Sequence, residues 1–317
     1  MTNDDRSCNS RPPDAAQGCT IRNVAVLTNP SSGVGRGAKA SRRAVARLRE
    51  RGLDVRDLVG TDGADAERLA RTAVDDRPDA LVVVGGDGMI ALALQVLVGT
   101  DVPLGVVPAG TGNDHAREYG LPRGNPEAAA DVVADGHVRV VDVGRIAADD
   151  GPAKYFGLVM AAGFDSLVND RANRMRWPRG QSRYNVATVF ELAHLRPLPF
   201  RLVLDDGTVV ERDLLHTAIG NTRSYGGGML VCPGADPTDG LLDITVVRAM
   251  PRRRVLRFFP TIFKGTHVEQ DEVETYRTAS VRVESPGILA YADGEYVAPL
   301  PVTVSVVPHA LRILVSR

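Results

Sequence analysis

The run Val82-Val83-Val84-Gly85-Gly86-Asp87-Gly88 constrains the fold of this chain more tightly than any other segment. A β-branched stretch stops at three glycines around one carboxylate, and the apolar segment Met89–Val98 follows at once. That order describes a buried strand emptying into a glycine turn and then a helix N-terminus. Such a turn leaves backbone N–H groups open to an anion, and the helix dipole adds partial positive charge there. Asp87 inside a phosphate cradle is repulsive unless a cation or a donor hydroxyl stands nearby. The simplest ligand is therefore a nucleotide with its metal.

A second loop of the same kind follows. Leu104-Gly105-Val106-Val107 reads as the next buried strand, ending in Pro108-Ala109-Gly110-Thr111-Gly112-Asn113-Asp114, and a helix begins around Asp114. Two such loops at the ends of successive strands lie on one edge of an open α/β sheet, where ligands bind. Neither is a Walker A motif, because no Gly-Lys-Ser/Thr follows, and the G-x-G-x-x-G spacing of a dinucleotide fingerprint is absent. Each alone is compatible with an ordinary βα turn. Together, in this order, they point to phosphate binding.

The rest of the chain divides in two. Val24–Leu27 reads as a first strand, followed by the small-residue loop Asn29-Pro30-Ser31-Ser32-Gly33-Val34-Gly35 and an amphipathic helix from Ala38 to Arg51. Leu53–Val59 reads as a strand, Ala64–Val74 as a helix, and Glu127–Ala134 as a short Ala-rich helix after Pro126. Strands alternating with helices imply a doubly wound, mostly parallel sheet covered on both faces. After Gly136 the pattern changes to strand-like runs: Val138–Val143, Tyr155–Met160, Phe200–Leu204, Thr208–Leu215, Leu241–Val247, Ser280–Glu284, Ile288–Tyr291 and Val302–Val307. This half reads as a β-rich, antiparallel, sandwich-like domain interrupted by helical insertions at Asp165–Leu195 and Pro251–Lys264. The expected division is a disordered tail at 1–20, an α/β nucleotide-binding domain at 21–137 and a β-rich domain at 138–317. The extreme C-terminus is free to return to the first domain.

At 317 residues the chain suits two domains of ordinary size. A net charge of −1 gives it no global attraction to nucleic acid or acidic lipid, so no nucleic-acid partner is expected. No apolar run approaches the length of a membrane span. The polar first twenty residues lack an apolar signal core. Three cysteines, Cys8, Cys19 and Cys232, have no metal-ligand spacing and suit a reducing cytoplasm. A homodimer is compatible with all of this.

The ordered motifs Asn29-Pro30-x-Ser32-Gly33, Gly85-Gly86-Asp87-Gly88 and Pro108-x-Gly110-Thr111-Gly112-Asn113-Asp114 resemble those of the diacylglycerol kinase catalytic superfamily. That group includes bacterial soluble lipid kinases, sphingosine kinases and ceramide kinases. Gly163-Phe164-Asp165-Ser166, Tyr225-Gly226-Gly227-Gly228-Met229, Pro233-x-Ala235, Asp239-Gly240-Leu241-Leu242-Asp243 and Asp293-Gly294-Glu295 follow in the family's order. The resemblance covers roughly residues 22–316 and implies a first domain similar to NAD kinase and phosphofructokinase. The long β-rich half suits a lipid kinase better than a NAD kinase.

The resemblance implies transfer of the γ-phosphoryl group of ATP, with Mg2+, to a lipid hydroxyl, with diacylglycerol to phosphatidic acid as the first expectation. A sphingoid, ceramide-like or other hydrophobic alcohol is the alternative acceptor. Backbone amides at Gly85, Gly86, Gly88, Gly110 and Gly112, with Thr111 and Asn113, are expected to hold the phosphates, and Asn29, Ser31, Ser32 and Gly33 to cap the other side. Asp87 and Asp114 are the expected Mg2+ ligands. Asp293 is expected to be the general base and Glu295 its assistant, since carboxylates flanking one glycine project to the same side of an extended segment. Read by local sequence alone, Asp293-Gly294 is better taken as a hairpin turn, and only its place in the motif series reverses that. Asp236, Asp239 and Asp243 form a second acidic cluster, where Asp239 is the expected ligand of a structural metal or else part of an Asp-Gly turn.

One position departs from the family pattern. Met89 stands where threonine is usual, replacing a hydroxyl donor with a thioether. A nucleotide-binding regulator with little turnover is the reading this substitution suggests. Basic residues interleaved with apolar ones at Arg171–Arg183 and Arg252–Phe259 suit peripheral contact with the inner membrane face. His115, His194 and His216 carry no ligand spacing and read as packing or surface residues.

Overall fold

The computed structural model describes residues 17–29, 32–175, 177 and 181–317. In the first half, β1 (Gln17–Gly18) precedes β2 (Asn23–Thr28), α1 (Ser32–Glu50), β3 (Asp54–Val59) and α2 (Gly63–Asp75). There follow β4 (Ala80–Gly85), α3 (Asp87–Leu97), β5 (Leu104–Pro108), α4 (Asp114–Glu118) and α5 (Pro126–Asp135). Strands β3, β2, β4 and β5 are parallel neighbours in that order. Alternation along each strand sends successive residues to opposite faces. Leu27, Leu81 and Val83 therefore enter the core beneath α2 and α3, while Val26, Val82 and Val84 enter the core beneath α1 and α5. This two-sided burial is why β4 reads as an unbroken apolar run.

Helix limits follow from local chemistry. Asp62 caps α2 by accepting the Asp65 N–H, and Asn125 caps α5 by accepting the Ala128 N–H, with Pro126 in the first helical position. Gly136 ends α5 in the left-handed conformation at φ 68°.

The second half comprises β6 (His137–Ala148), β7 (Lys154–Phe156), β8 (Val159–Gly163), α6 (Phe164–Arg174), α7 (Gln181–Ala193), β9 (Leu198–Leu204) and β10 (Val209–Gly220). It continues through β11 (Leu242–Arg248), α8 (Arg252–Ile262), β12 (Val273–Thr278), β13 (Ser280–Glu284), β14 (Leu289–Ala292), β15 (Glu295–Pro299) and β16 (Val302–Leu314). Its strand pairs are antiparallel, and alternating residues such as Phe200, Leu202 and Leu204 fill the interior. Strand β16 runs along β6, then places Ile313 beside Leu104 of β5 in parallel. One continuous sheet thereby joins the two halves.

Several elements differ from the sequence reading. The single strand expected at Tyr155–Met160 is two, because the amides of Gly157, Leu158 and Val159 turn toward the Asp293 carboxylate. Strands β6 and β10 extend well past the expected ends, being ribbons paired along their length. The helical insertion after Asp165 is divided into α6 and α7, and β12 and β15 had no recognisable run of their own.

Asp142 of β6 pins the join. It is buried, and its carboxylate accepts the His309 N–H at 2.7 Å and the Gly240 N–H at 2.8 Å. His309 lies in the irregular stretch of β16 between Val307 and Leu311, with φ 52°. A hydrogen bond to a charged acceptor contributes about 1.5–3 kcal/mol. Asp142→Ala is expected to lower stability by about that amount for each of the two amides, measured by urea unfolding.

Candidate active site

The two glycine loops lie side by side because their strands do. Gly85 and Pro108 are register partners, and the Ala109 N–H donates to the Gly85 carbonyl at 2.8 Å. Beyond them the backbones touch: a Cβ on Gly110 would sit 2.4 Å from the Gly86 Cα. No side chain fits between, so this edge is bare backbone at the N-terminus of α3. Such a surface lets phosphate oxygens approach amides directly. Asn113, at φ 52°, braces the second loop: its Oδ1 accepts the Gly110 N–H and its Nδ2 donates to the Gly110 carbonyl, both at 3.0 Å. Thr111 is exposed at the tip of that loop.

Met89 is buried in the core of the parallel half. Its side chain is packing material there, and the backbone cradle does not depend on it. Of the residues expected to cap the site, Asn29 ends β2 at the same sheet edge, its N–H donating to the Val84 carbonyl at 3.5 Å. Ser31 lies outside the described residues. Ser32 and Gly33 open α1, and the Ser32 side chain lies outside the description too.

Asp87 stands at the first turn of α3 with Oδ2 against Gly112, whose Cβ would lie 2.9 Å away. Its Oδ1 accepts the backbone N–H of His115 at 3.2 Å and lies 3.2 Å from the ring Nδ1. Burial pushes the Asp87 carboxyl upward, but its bonds to His115 and the charge of that ring win and hold it below the usual range. Asp114 is otherwise engaged. One oxygen pairs with Arg117 and the other accepts the Gly227 N–H at 2.8 Å, which draws the Tyr225–Met229 loop onto the second glycine loop. Asp239 pairs with Arg277, which also lies 3.3 Å from Asp243, so a guanidinium already supplies the cation there. Among the described residues no three of His, Cys, Asp or Glu assemble a metal cage. The donor set that fits Mg2+ is a carboxylate at a phosphate cradle, since that ion is commonly held by one or two carboxylates plus substrate phosphates. Asp87 is so placed.

The Asp293–Glu295 segment is not extended. Asp293 has φ 51° and forms, with Gly294, the turn between β14 and β15. The two carboxylates therefore differ in environment. The Asp293 side chain is 1% exposed, and its oxygens accept the N–H groups of Gly157 at 2.7 Å, Leu158 at 2.9 Å and Val159 at 3.2 Å. Burial raises its pKa, partly offset by the charge of His115 and by those three amides. Glu295 is exposed, and its Oε1 is 3.3 Å from where a Cβ on Gly88 would be. It stands over the first turn of α3. The carboxylate free to meet a substrate at the glycine loops is thus Glu295, while Asp293 is fixed beneath it.

His115, expected to be a packing residue, is the residue that sequence reasoning missed. Its ring is 2% exposed and lies between Asp87 and Asp293. The only local hint was its place beside Asp114 at the start of α4. Burial disfavours its charged form, but the hydrogen bond it donates to Asp87 and the charges of Asp293, Asp87 and Asp114 raise its pKa overall.

A cavity of about 150 Å3 opens beside α6 and α8, lined by apolar groups such as Val168, Leu215, Phe258 and Ile262 and by Asp165 and Tyr225. Burial pushes Asp165 up to about 6, against hydrogen bonds from Tyr225 and Asn169. Burial, with the nearby His267, pushes His216 down to about 4. The exposed faces nearby differ in kind. On α6, Arg171 pairs with Glu191 and stacks 3.6 Å above the Phe190 ring, and Arg174 pairs with Asp170 at 2.9 Å. Arg176 and Arg179 lie outside the described residues; Trp177 is 82% exposed. On α8, Arg252, Arg253 and Arg257 are exposed together with Leu256 and Phe259, while Arg254 pairs with Glu272 at 2.7 Å. Among the described residues no helix is long and apolar enough to cross a membrane.

Residues 23–146 match the diacylglycerol kinase catalytic domain, and residues 158–315 match the YegS C-terminal NAD kinase beta sandwich-like domain. The chain is 58% identical over 297 residues to a diacylglycerol kinase of Mycobacterium tuberculosis, covering 94% of this chain and 96% of that protein. It is 26% identical to a diacylglycerol kinase of Bacillus subtilis, covering 89% and 92%, and 33% identical to a probable lipid kinase YegS-like protein of Xanthomonas oryzae, covering 66% and 69%. A crystal structure of a diacylglycerol kinase from Bacillus anthracis superposes with a TM-score of 0.70 at 19% identity, covering 95% of this chain and 98% of that one. These similarities agree with an α/β half followed by a β-rich sandwich.

Asp165 offers a test of the cavity. Its folded pKa is raised, so its favourable share of stability is complete below its ordinary value near 3.8 and is lost as pH climbs through about 6. The full shift corresponds to about 3 kcal/mol, less what partial exposure returns. Asp165→Asn is therefore expected to be more stable than the parent at pH 8 by about 1–3 kcal/mol, and equal to it below pH 4, in urea titrations at both pH values.

Proposed function

Given that this chain belongs to the diacylglycerol kinase catalytic family and is a lipid kinase, we propose that it transfers the γ-phosphoryl group of ATP to the free hydroxyl of diacylglycerol, giving phosphatidic acid and ADP. The observation that carries this reading is the placement of Glu295 over the glycine turn at Gly88, across from the backbone edge at Gly86 and Gly110. Amides of Gly85, Gly86, Gly88, Gly110 and Gly112, with the Thr111 hydroxyl, bind the phosphates at the positive end of α3. Asp87 would hold the Mg2+ that accompanies ATP, and that ion neutralises phosphate charge when bound. The acceptor hydroxyl oxygen attacks the γ-phosphorus in line, the bond to the bridging β,γ-oxygen breaks, and Glu295 takes the hydroxyl proton. Asp293 acts through its neighbour: buried and held by three amides, it fixes the turn that presents Glu295.

In this reading residues 21–137 hold the nucleotide and residues 138–317 hold the lipid, with acyl carbon in the cavity beside α8. The exposed Leu256 and Phe259 among Arg252, Arg253 and Arg257 suit shallow contact with an anionic bilayer. Asp165 favours one second reading. A carboxylate at the wall of an apolar cavity also suits an amino alcohol such as a sphingoid base, whose ammonium it would pair.

Glu295→Gln is expected to lower kcat by about 10²–10⁴-fold without loss of folded protein. The readout is transfer from γ-labelled ATP into a panel of diacylglycerol, sphingoid base and ceramide in mixed micelles. Near-normal turnover by the variant would remove Glu295 from the reaction, and labelling of the sphingoid base alone would replace diacylglycerol as the acceptor.

A further inference from the structure

Nothing in the chemistry just described uses the buried imidazole of His115. We propose that His115 is a positioning residue, whose imidazole between Asp87 and Asp293 sets the nucleotide loop and the Asp293–Glu295 turn in a single relative geometry. This rests on the reading that Asp87 serves the nucleotide and Glu295 receives the acceptor proton.

Three observations carry it. The ring touches both halves: Nδ1 lies 3.2 Å from Asp87 Oδ1 at the start of α3, and Nε2 lies 3.8 Å from Asp293 Oδ2 at the β14–β15 turn. His115 also holds Asp87 through its own backbone N–H at 3.2 Å, so ring and backbone converge on one oxygen and fix the carboxylate's direction. The surroundings are shaped for the ring. A Cβ on Gly157 would fall 2.5 Å from Nε2, so a side chain at that position would push the imidazole from its place beside Asp293. Gly157 itself donates its N–H to the Asp293 oxygen that faces the ring.

An apolar side chain at position 115 would fill the space and leave the backbone bonds to Asp87 and Asp293 intact. What it would remove is the hydrogen bond between Nδ1 and Asp87 and the close approach of Nε2, which has no hydrogen-bond partner, to Asp293 at 3.8 Å. The expected consequence is misplacement of Glu295 relative to the phosphate cradle. Misalignment of reacting groups costs turnover more than ground-state affinity. A residue that merely filled the core would leave turnover per folded molecule intact.

The experiment compares the parent with H115F, H115N and E295Q, using γ-labelled ATP and dioleoylglycerol in detergent micelles, with kcat and both KM values per folded molecule. The inference expects H115F to lose about 10²-fold in kcat with each KM within twofold, and H115N, which keeps a donor near the Nδ1 position, to regain at least tenfold of that loss. If H115F does not fold, H115L takes its place. A kcat for the apolar variant within threefold of the parent, a loss confined to KM, or equal losses in the apolar and Asn variants overturns the inference. Normal turnover by E295Q overturns it together with the reading it rests on. An inactive E295Q beside a normal H115F overturns the inference alone.

Discussion

The Asp293 carboxylate and the three consecutive amides that it accepts govern the arrangement of the site. Gly157 and Leu158, between β7 and β8, and Val159, at the start of β8, donate to it. Buried amides require partners, and a carboxylate offers acceptors for all three. A tight turn between two short strands, which by itself would be a surface feature, is thereby driven inward against the nucleotide half. Glu295, two residues on, is carried to the glycine loops as a consequence. Removing that carboxylate would orphan three amides at once and release the turn.

Other contacts make the same join. Asn221 donates to the carbonyls of both Asp142 and Gly157 at 3.0 Å, so the β7–β8 break is held from a second side. Asp114 accepts the Gly227 N–H and ties the second glycine loop to the β-rich half. Strand β16 adds a hydrogen-bonded route, pairing with β6 and then with β5. The parallel half supplies rigid strand ends, and the antiparallel half supplies the acid that faces them. Neither half contains the site by itself.

The strand–glycine–helix segments were legible because the forces that specify them are local. A β-branched run, glycines whose lack of Cβ permits the Gly86–Gly110 approach, and an apolar helix face are all written within a dozen residues. The strands of the β-rich half were legible in kind and less so in extent. β12 and β15 carry mixed polar sequences that become strands through their partners β11 and β14. Tyr155–Met160 has the pattern of one strand, and only the demand of a distant carboxylate divides it. The family resemblance offers Asp114 and Asp239 as metal ligands; the arginines that pair with them in the structure, Arg117 and Arg277, are three and 38 residues away.

The sequence by itself determined the backbone cradle, the order of the motifs and the pair of carboxylates near the C-terminus, since glycine sterics and strand periodicity act over short stretches of chain. Tertiary structure alone decided where each acid stands and what surrounds it. Asp293 and Glu295 have almost the same chemistry and are separated by a single glycine. The first is buried against amides more than a hundred residues earlier, and the second is left in the open above α3. His115 likewise acquires its place only when Asp87 and Asp293 close on it. A carboxylate's role depends on which donors surround it, and those donors meet only once the sheet has closed.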